Sequence, residues 1–170
     1  RYHLVRPHYF CRGDECGNAE LWDEVYAYID SHYDVEKIKR IYVNADGGSW
    51  IRSGMKRIAG MTYVLDEFHL SKYILKMTGH MKDSQEDAVA EIGEAIRNKG
   101  KIEFDGIIQK LKDCTDSEKV QERIDKAGNY IKSNWTAAKL RLWKKDGVIA
   151  CSAEGHVYHV LSSRMSTMGM

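Results

Sequence analysis

The spacing of apolar residues changes character at about residue 70, from strand-like runs to helical repeats. Residues 2–10, YHLVRPHYF, are β-branched and aromatic around a proline, which predicts a strand near a sheet edge. The turn-rich CRGDECGN follows and ends in Asn18, a residue suited to cap a helix. Trp22, Val25, Ile29 and His32 then recur at i, i+3, i+7 and i+10, predicting an amphipathic helix over 19–33. Ile38, Ile41, Tyr42 and Val43 predict a buried strand ending at Asp46. Gly47-Gly48-Ser49 opens a short helix over 50–59, closed by Gly60, and MTYVLDEF (61–68) predicts a second strand ending at Asp66. Strand, short helix and strand make a βαβ unit, which requires parallel strands and a right-handed crossover.

Beyond residue 70 the repeats are helical. Ser84 with Asp87 at the capping-box position starts one helix, with Val89, Ile92 and Ile96 on one face and Gly100 at its end. Phe104, Ile107, Ile108 and Leu111 mark a second, and Thr115 with Glu118 caps a third carrying Val120, Ile124, Ala127 and Ile131. The basic IKSNWTAAKLRLWKK comes next. GVIACSAEGHVYHVLSSRM then predicts a short apolar segment, a turn at Ser152 and a last helix over about 153–165. The expected plan is a small α/β core over 1–70, a helical insertion over 71–147, and a closing segment and helix over 148–170.

Composition changes this picture in two respects. Among 170 residues, 26 are basic and 25 acidic, a net charge of +1, but residues 1–70 carry 9 basic and 11 acidic side chains and residues 71–170 carry 17 and 14. Six cations and no acid lie between Asp125 and Asp146. No apolar run approaches the roughly 18 residues of a membrane span, and no signal peptide is visible, so the sequence reads as soluble, cytoplasmic and away from membranes. Four cysteines in such a chain are expected to be reduced. The sequence begins at Arg1 in what reads as mid-strand, as expected of a piece of something longer.

Three carboxylates could carry chemistry. Asp46 and Asp66 end the two parallel strands, the edge of an open α/β sheet at which sites are built. Glu154 opens the last helix. Carboxylates so placed suit Mg²⁺, a hard ion that takes one or two of them together with phosphate oxygens. Asp46 and Asp66 would equally serve as caps of the helices that follow them, and Glu154 as a favourable charge at a helix N-terminus. His3, His8, Cys11 and Cys16 form an H-x4-H-x2-C-x4-C set whose atoms zinc would accept, although the spacing is looser than usual. Gly47-Gly48-Ser49 could cradle a phosphate, but the lysine of a nucleotide-binding P-loop is missing. Lys126, Lys132, Lys139, Arg141, Lys144 and Lys145 alternate with Tyr130, Trp135 and Trp143. Such a stretch either binds nucleic acid, with cations on phosphates and aromatics against bases, or is a solvated helix face with its tryptophans in the core.

Taken together, RYHLVRPHYF, AELWDEVYAYIDSHYDVEKIKRIYVNADGGSWI, YVLDEFHLSKYI and CSAEGHVYHVLSSRM resemble the ISLre-type insertion-sequence transposases, long described as uncharacterised proteins. The most specific parts are Leu65-Asp66-x-Phe68-His69-Leu70 with Lys72-Tyr73, and Ser152-Ala153-Glu154-Gly155-His156-Val157 with His159. The resemblance implies an RNase H-like core of the DDE type, incomplete at its N-terminus and interrupted by a helical insertion. It implies three acids and Mg²⁺ or Mn²⁺ that cut DNA ends and join them to a target. Asp46 corresponds to the second acid and Glu154 to the third, both as metal ligands, while Asp66-x-x-His69 corresponds to a further site element or a DNA contact. The first acid is expected before Arg1, and a piece without it is expected to be inactive alone. DNA is then the partner, through Lys132, Trp135, Lys139, Arg141, Trp143, Lys144 and Lys145. Multimers on two DNA ends and association with the nucleoid are expected. The alternatives are a non-catalytic DNA-binding remnant and a helical interaction module.

Overall fold

The computed structural model describes residues 8–10, 17–143 and 148. It divides into two compact units, the first up to Val64 and the second from Leu65. Helices dominate the described residues, and a two-stranded parallel sheet is the only sheet among them.

The first unit contains α1 (Asn18–His32), β1 (Ile41–Ala45), α2 (Trp50–Arg57) and the start of β2 (Met61–Leu65). The expected βαβ unit is present: β1 pairs with β2, and α2 makes the crossover. Trp22 from α1, Ala45 from β1, Ile51 from α2, Ile58 and Met61 form the buried cluster, with Val25, Ile29, Ile41, Val43, Trp50 and Tyr63 packed around it. The Trp22 indole N–H donates to the Trp50 carbonyl at 2.9 Å and the two indoles stack at 5.4 Å, which ties α1 to α2. Gly54 allows this approach, because a Cβ there would lie 2.3 Å from the Trp22 ring. Two local expectations shift. Gly17, not Asn18, occupies the N-cap of α1. Ile38 closes a 3-10 turn over Val35–Lys37, so β1 begins three residues later than Ile38. Tyr9 and its neighbours at 8–10 are irregular, and the rest of the strand expected over 2–10 lies outside the described residues.

The second unit opens with α3 (Glu67–Thr78), a helix the apolar pattern left unmarked because MTYVLDEF reads as one strand through Phe68. Next come a 3-10 turn over Lys82–Ser84, α4 (Gln85–Asn98), α5 (Lys101–Asp113), α6 (Glu118–Ser133) and α7 (Trp135–Trp143). Their repeats point inward as expected: Leu70, Ile74 and Met77 from α3, Ile92 and Ile96 from α4, Phe104 and Leu111 from α5, and Ile124 and Ile131 from α6 are all buried. Helix α3 packs on α6, α4 on α5 and α7, and α5 on α6.

Ser84 stands at the N-cap of α4 as expected, but neither expected cap bond forms. Ser84 leaves the 3-10 turn with φ −93° and ψ 9°, not the extended geometry that aims a cap hydroxyl at the helix, and its side chain makes no cap bond. Ser117 precedes α6 instead of Thr115, whose Oγ1 accepts the Ser117 N–H at 3.3 Å in a local turn. The closing helix expected over 153–165 lies outside the described residues.

Candidate functional site

Asp46 follows β1 directly. Ala45 before it is buried, and Asp46 itself is exposed. Its Oδ1 accepts the Gly48 N–H at 2.9 Å, an Asx turn, whereas the N-cap of α2 is Ser49, which forms no side-chain cap bond. The cap role open to Asp46 therefore becomes a turn role. Gly47 takes φ 91°, a left-handed conformation that favours glycine, and a Cβ on Gly48 would stand 2.6 Å from the Trp50 ring and 3.1 Å from Asp46 Oδ1. The Gly-Gly pair thus lets the chain turn sharply enough to hold the carboxylate by a backbone donor.

Asp66 follows β2 directly and caps α3. Its Oδ1 accepts the His69 N–H at 2.7 Å, and its Oδ2 lies 2.7 Å from His69 Nδ1. Both side chains are largely buried, at 13% and 18% exposure. A single carboxylate therefore serves as helix cap and as anchor of an imidazole one turn later. The spacing Asp66-x-x-His69 is what this requires, since residue N3 of a helix presents its N–H to the cap while its side chain lies over the same turn. A neutral His69 bonded in this way carries its proton on Nδ1 and its lone pair on Nε2.

The basic-aromatic stretch splits in the structure. Arg141 is 7% exposed, and its Nε donates to the Leu65 carbonyl at 2.8 Å, at the end of β2 and next to Asp66. This cation, expected on a phosphate, is turned into the protein. Lys132 pairs with Asp105 at 2.8 Å. Trp135 is half-buried, edge-on to Phe104 at 5.3 Å, with Lys101 Nζ 6.0 Å from its ring. Lys139 is half-buried and Trp143 exposed: the ammonium sits 4.8 Å from the centre of the Trp143 ring, whose N–H donates to the Arg97 carbonyl at 2.9 Å. Trp135, Lys139 and Trp143 recur at i, i+4 and i+8, one stripe of α7. Lys144 and Lys145 lie outside the described residues, as does Glu154.

Of the zinc set, His8 stacks on Tyr28 at 4.3 Å, and Tyr28 stacks on His32 at 4.1 Å. His3, Cys11 and Cys16 lie outside the described residues. No cluster of three metal-ligating side chains occurs among the described residues. None of the helices described is long and apolar enough to cross a membrane. The apolar pattern missed one group of cations altogether, Lys72 and Lys76 on α3 with Lys119 and Arg123 on α6. Their i, i+4 spacing was the available signal.

The profile of a family described as "Uncharacterised protein family (UPF0236)" matches residues 1–170. Two UPF0236 proteins of Caldanaerobacter subterraneus subsp. tengcongensis are each 38% identical to the chain over 147 residues. The match covers 86% of the chain and 30% and 29% of the relatives' own lengths. A UPF0236 protein from the vanSb 3′ region of Streptococcus gallolyticus is 29% identical over 179 residues, covering 99% of the chain and 37% of its own length. The chain spans about a third of the length of these curated relatives. No solved structure matches it.

Proposed function

The chain belongs to this uncharacterised family, UPF0236, and on that premise we propose that it forms part of the catalytic core of an insertion-sequence transposase. The proposed core is RNase H-like and of the DDE type, and the reaction is metal-dependent cleavage of DNA ends followed by strand transfer. The observation that carries the reading is the βαβ unit in which each parallel strand runs directly into an aspartate held by backbone N–H groups. The resemblance in Asp66-x-Phe68-His69 and in Ser152-Ala153-Glu154 supplies the rest.

The donor chemistry suits a hard divalent ion. A carboxylate has about four lone-pair sites, so the Gly48 bond orients Asp46 without exhausting it. Asp46 and Glu154 would hold Mg²⁺ or Mn²⁺, which when bound activates an attacking water or 3′-hydroxyl and stabilises the leaving oxygen. Asp66 caps α3 with one oxygen and lies 2.7 Å from His69 Nδ1 with the other, so we place it as the positioning residue for that imidazole. Arg141 in turn fixes the last carbonyl of β2, one residue before Asp66. Lys139 and Trp143, with the half-buried Trp135 on the same stripe of α7, are the proposed contacts for the DNA, with Lys144 and Lys145 following in sequence.

The test is cleavage of duplex DNA carrying the flanks of the protein's own gene, using the protein as encoded. Nicking at the element ends that needs Mg²⁺ or Mn²⁺, stops with chelator and is lost in Glu154→Gln is expected. Binding without cleavage under either metal would favour the DNA-binding remnant, and neither binding nor cleavage would favour the helical interaction module.

A further inference from the structure

Helices α3 and α6 pack along each other and share an outer face rich in cations, on which Glu122 is paired with Lys126. Lys72 and Lys76 stand one turn apart on α3, and Lys119 and Arg123 one turn apart on α6, all exposed. None of the four makes an ion pair among the described residues. Several other cations of the same unit are paired. Lys110 pairs with Glu91, Lys112 with Asp125, Lys126 with Glu122 and Lys132 with Asp105. The acid at the start of α3, Glu67, lines a separate cleft with Leu70 and Ser71 toward α4.

Aromatic rings occupy the place that carboxylates take elsewhere. Lys72 Nζ lies 5.5 Å from the centre of the Phe68 ring, and Lys76 Nζ lies 4.6 Å from that of Tyr73, which stacks on Tyr130 of α6 at 3.7 Å. Phe68 and Leu75 remain 56% and 51% exposed beside the cations. They line an open hollow of about 540 Å³ shared with Lys72, Lys76 and Arg123. Four unneutralised cations on adjacent helices repel one another, and a polyanion relieves that repulsion. Two isolated apolar side chains are far less than the continuous apolar face by which a helix lies in a membrane surface. An exposed aromatic among cations suits a duplex, whose sugars and groove edges, the thymine methyl among them, offer apolar contact between charged phosphates.

We propose that the α3–α6 face is a second DNA-contacting surface, distinct from the α7 stripe. Lys72, Lys76, Lys119 and Arg123 bind the phosphates of a duplex, and Phe68 makes the apolar contact. The partner's identity as DNA rests on the function proposed above. The placement has a consequence for that function: α3 begins at the Asp66–His69 pair, so a duplex lying along α3 passes beside it.

Fluorescence anisotropy of a labelled duplex, titrated with the unaltered protein across a salt series, tests this. Replacing all four cations by glutamine is expected to flatten the slope of log affinity against log salt by about three to four, roughly one unit for each phosphate no longer neutralised. Lys119→Gln with Arg123→Gln, which leaves the ring-stacked lysines in place, is expected to remove about two units at an unchanged melting temperature. Phe68→Ala is expected to weaken binding with the slope intact. An unchanged slope in the charge variants, with DNA binding retained, overturns the α3–α6 assignment alone. Loss of binding to phosphatidylserine vesicles in those variants, with DNA affinity untouched, also overturns it and assigns the face to lipid. Absence of salt-dependent DNA binding by the unaltered protein overturns this inference together with the proposed function.

Discussion

A Cβ at position 54 would meet three atoms of the Trp22 indole between 2.3 and 2.7 Å, all in a rigid ring that is 4% exposed. Alanine raises helix propensity by about 1 kcal/mol over glycine, but a clash with an immovable ring costs roughly 1–3 kcal/mol and breaks the bond to Trp50. Gly54→Ala is therefore expected to destabilise the first unit and to alter tryptophan emission on urea unfolding; a more stable variant would contradict the packing described. Arg141 is the second decisive residue. Arg141→Met removes the donor to the Leu65 carbonyl and leaves it buried, so a loss of about 1–3 kcal/mol is expected, with the DNA salt slope unchanged. A slope lowered by about one with stability intact would make Arg141 a phosphate contact after all. Neither role was legible in the chain. Gly54 reads as a weak helix residue and Arg141 as one more cation in a basic run, because the deciding neighbours, Trp22 and Leu65, are 32 and 76 positions away.

Among the elements, α3 depends most on a single side chain. Asp66 caps it and also holds His69, and the two duties separate on substitution. Asn caps as well as Asp, whereas Ala loses the cap at about 1–2 kcal/mol. Asp66→Asn is thus expected to melt close to the unaltered protein and Asp66→Ala several degrees lower; equal melting of the two would show that the cap bond does not stabilise α3. The βαβ unit and helices α4 to α6 were legible, because their apolar residues repeat at the period of the element they form. Helix α3 was hidden because the strand read over MTYVLDEF ran past Asp66 and took in the first turn of the helix. Leu70, Ile74 and Met77 were its signal, at i, i+4 and i+7 from Leu70. Ser84 was placed correctly at the start of α4 but its backbone leaves the 3-10 turn without the geometry of a cap bond, and Thr115 was misplaced because its hydroxyl serves a local turn.

On the scale of the whole chain, a net charge of +1 conceals a local imbalance. Lys112 and Lys132 of the helical unit are paired with carboxylates, whereas Lys72 and Lys76 on the α3–α6 face and Lys139 on the α7 stripe stand against aromatic rings. The sequence showed the α7 run as a block of like charge but not the α3–α6 face, which only helix packing assembles. In the candidate site, the strand-end positions of Asp46 and Asp66 were legible, whereas the division between an Asx turn at one and a cap with an imidazole at the other was not. On the proposed function, Asp46 ligates the metal ion of a DNA-cleaving site. Cleavage by Asp46→Cys measures this most directly, because a thiolate is a poor ligand for Mg²⁺ and a better one for Mn²⁺. This variant is expected to be inactive in Mg²⁺ and to regain end cleavage in Mn²⁺, while Asp46→Ala is inactive in both. Cleavage by Asp46→Ala at the level of the unaltered protein would contradict it.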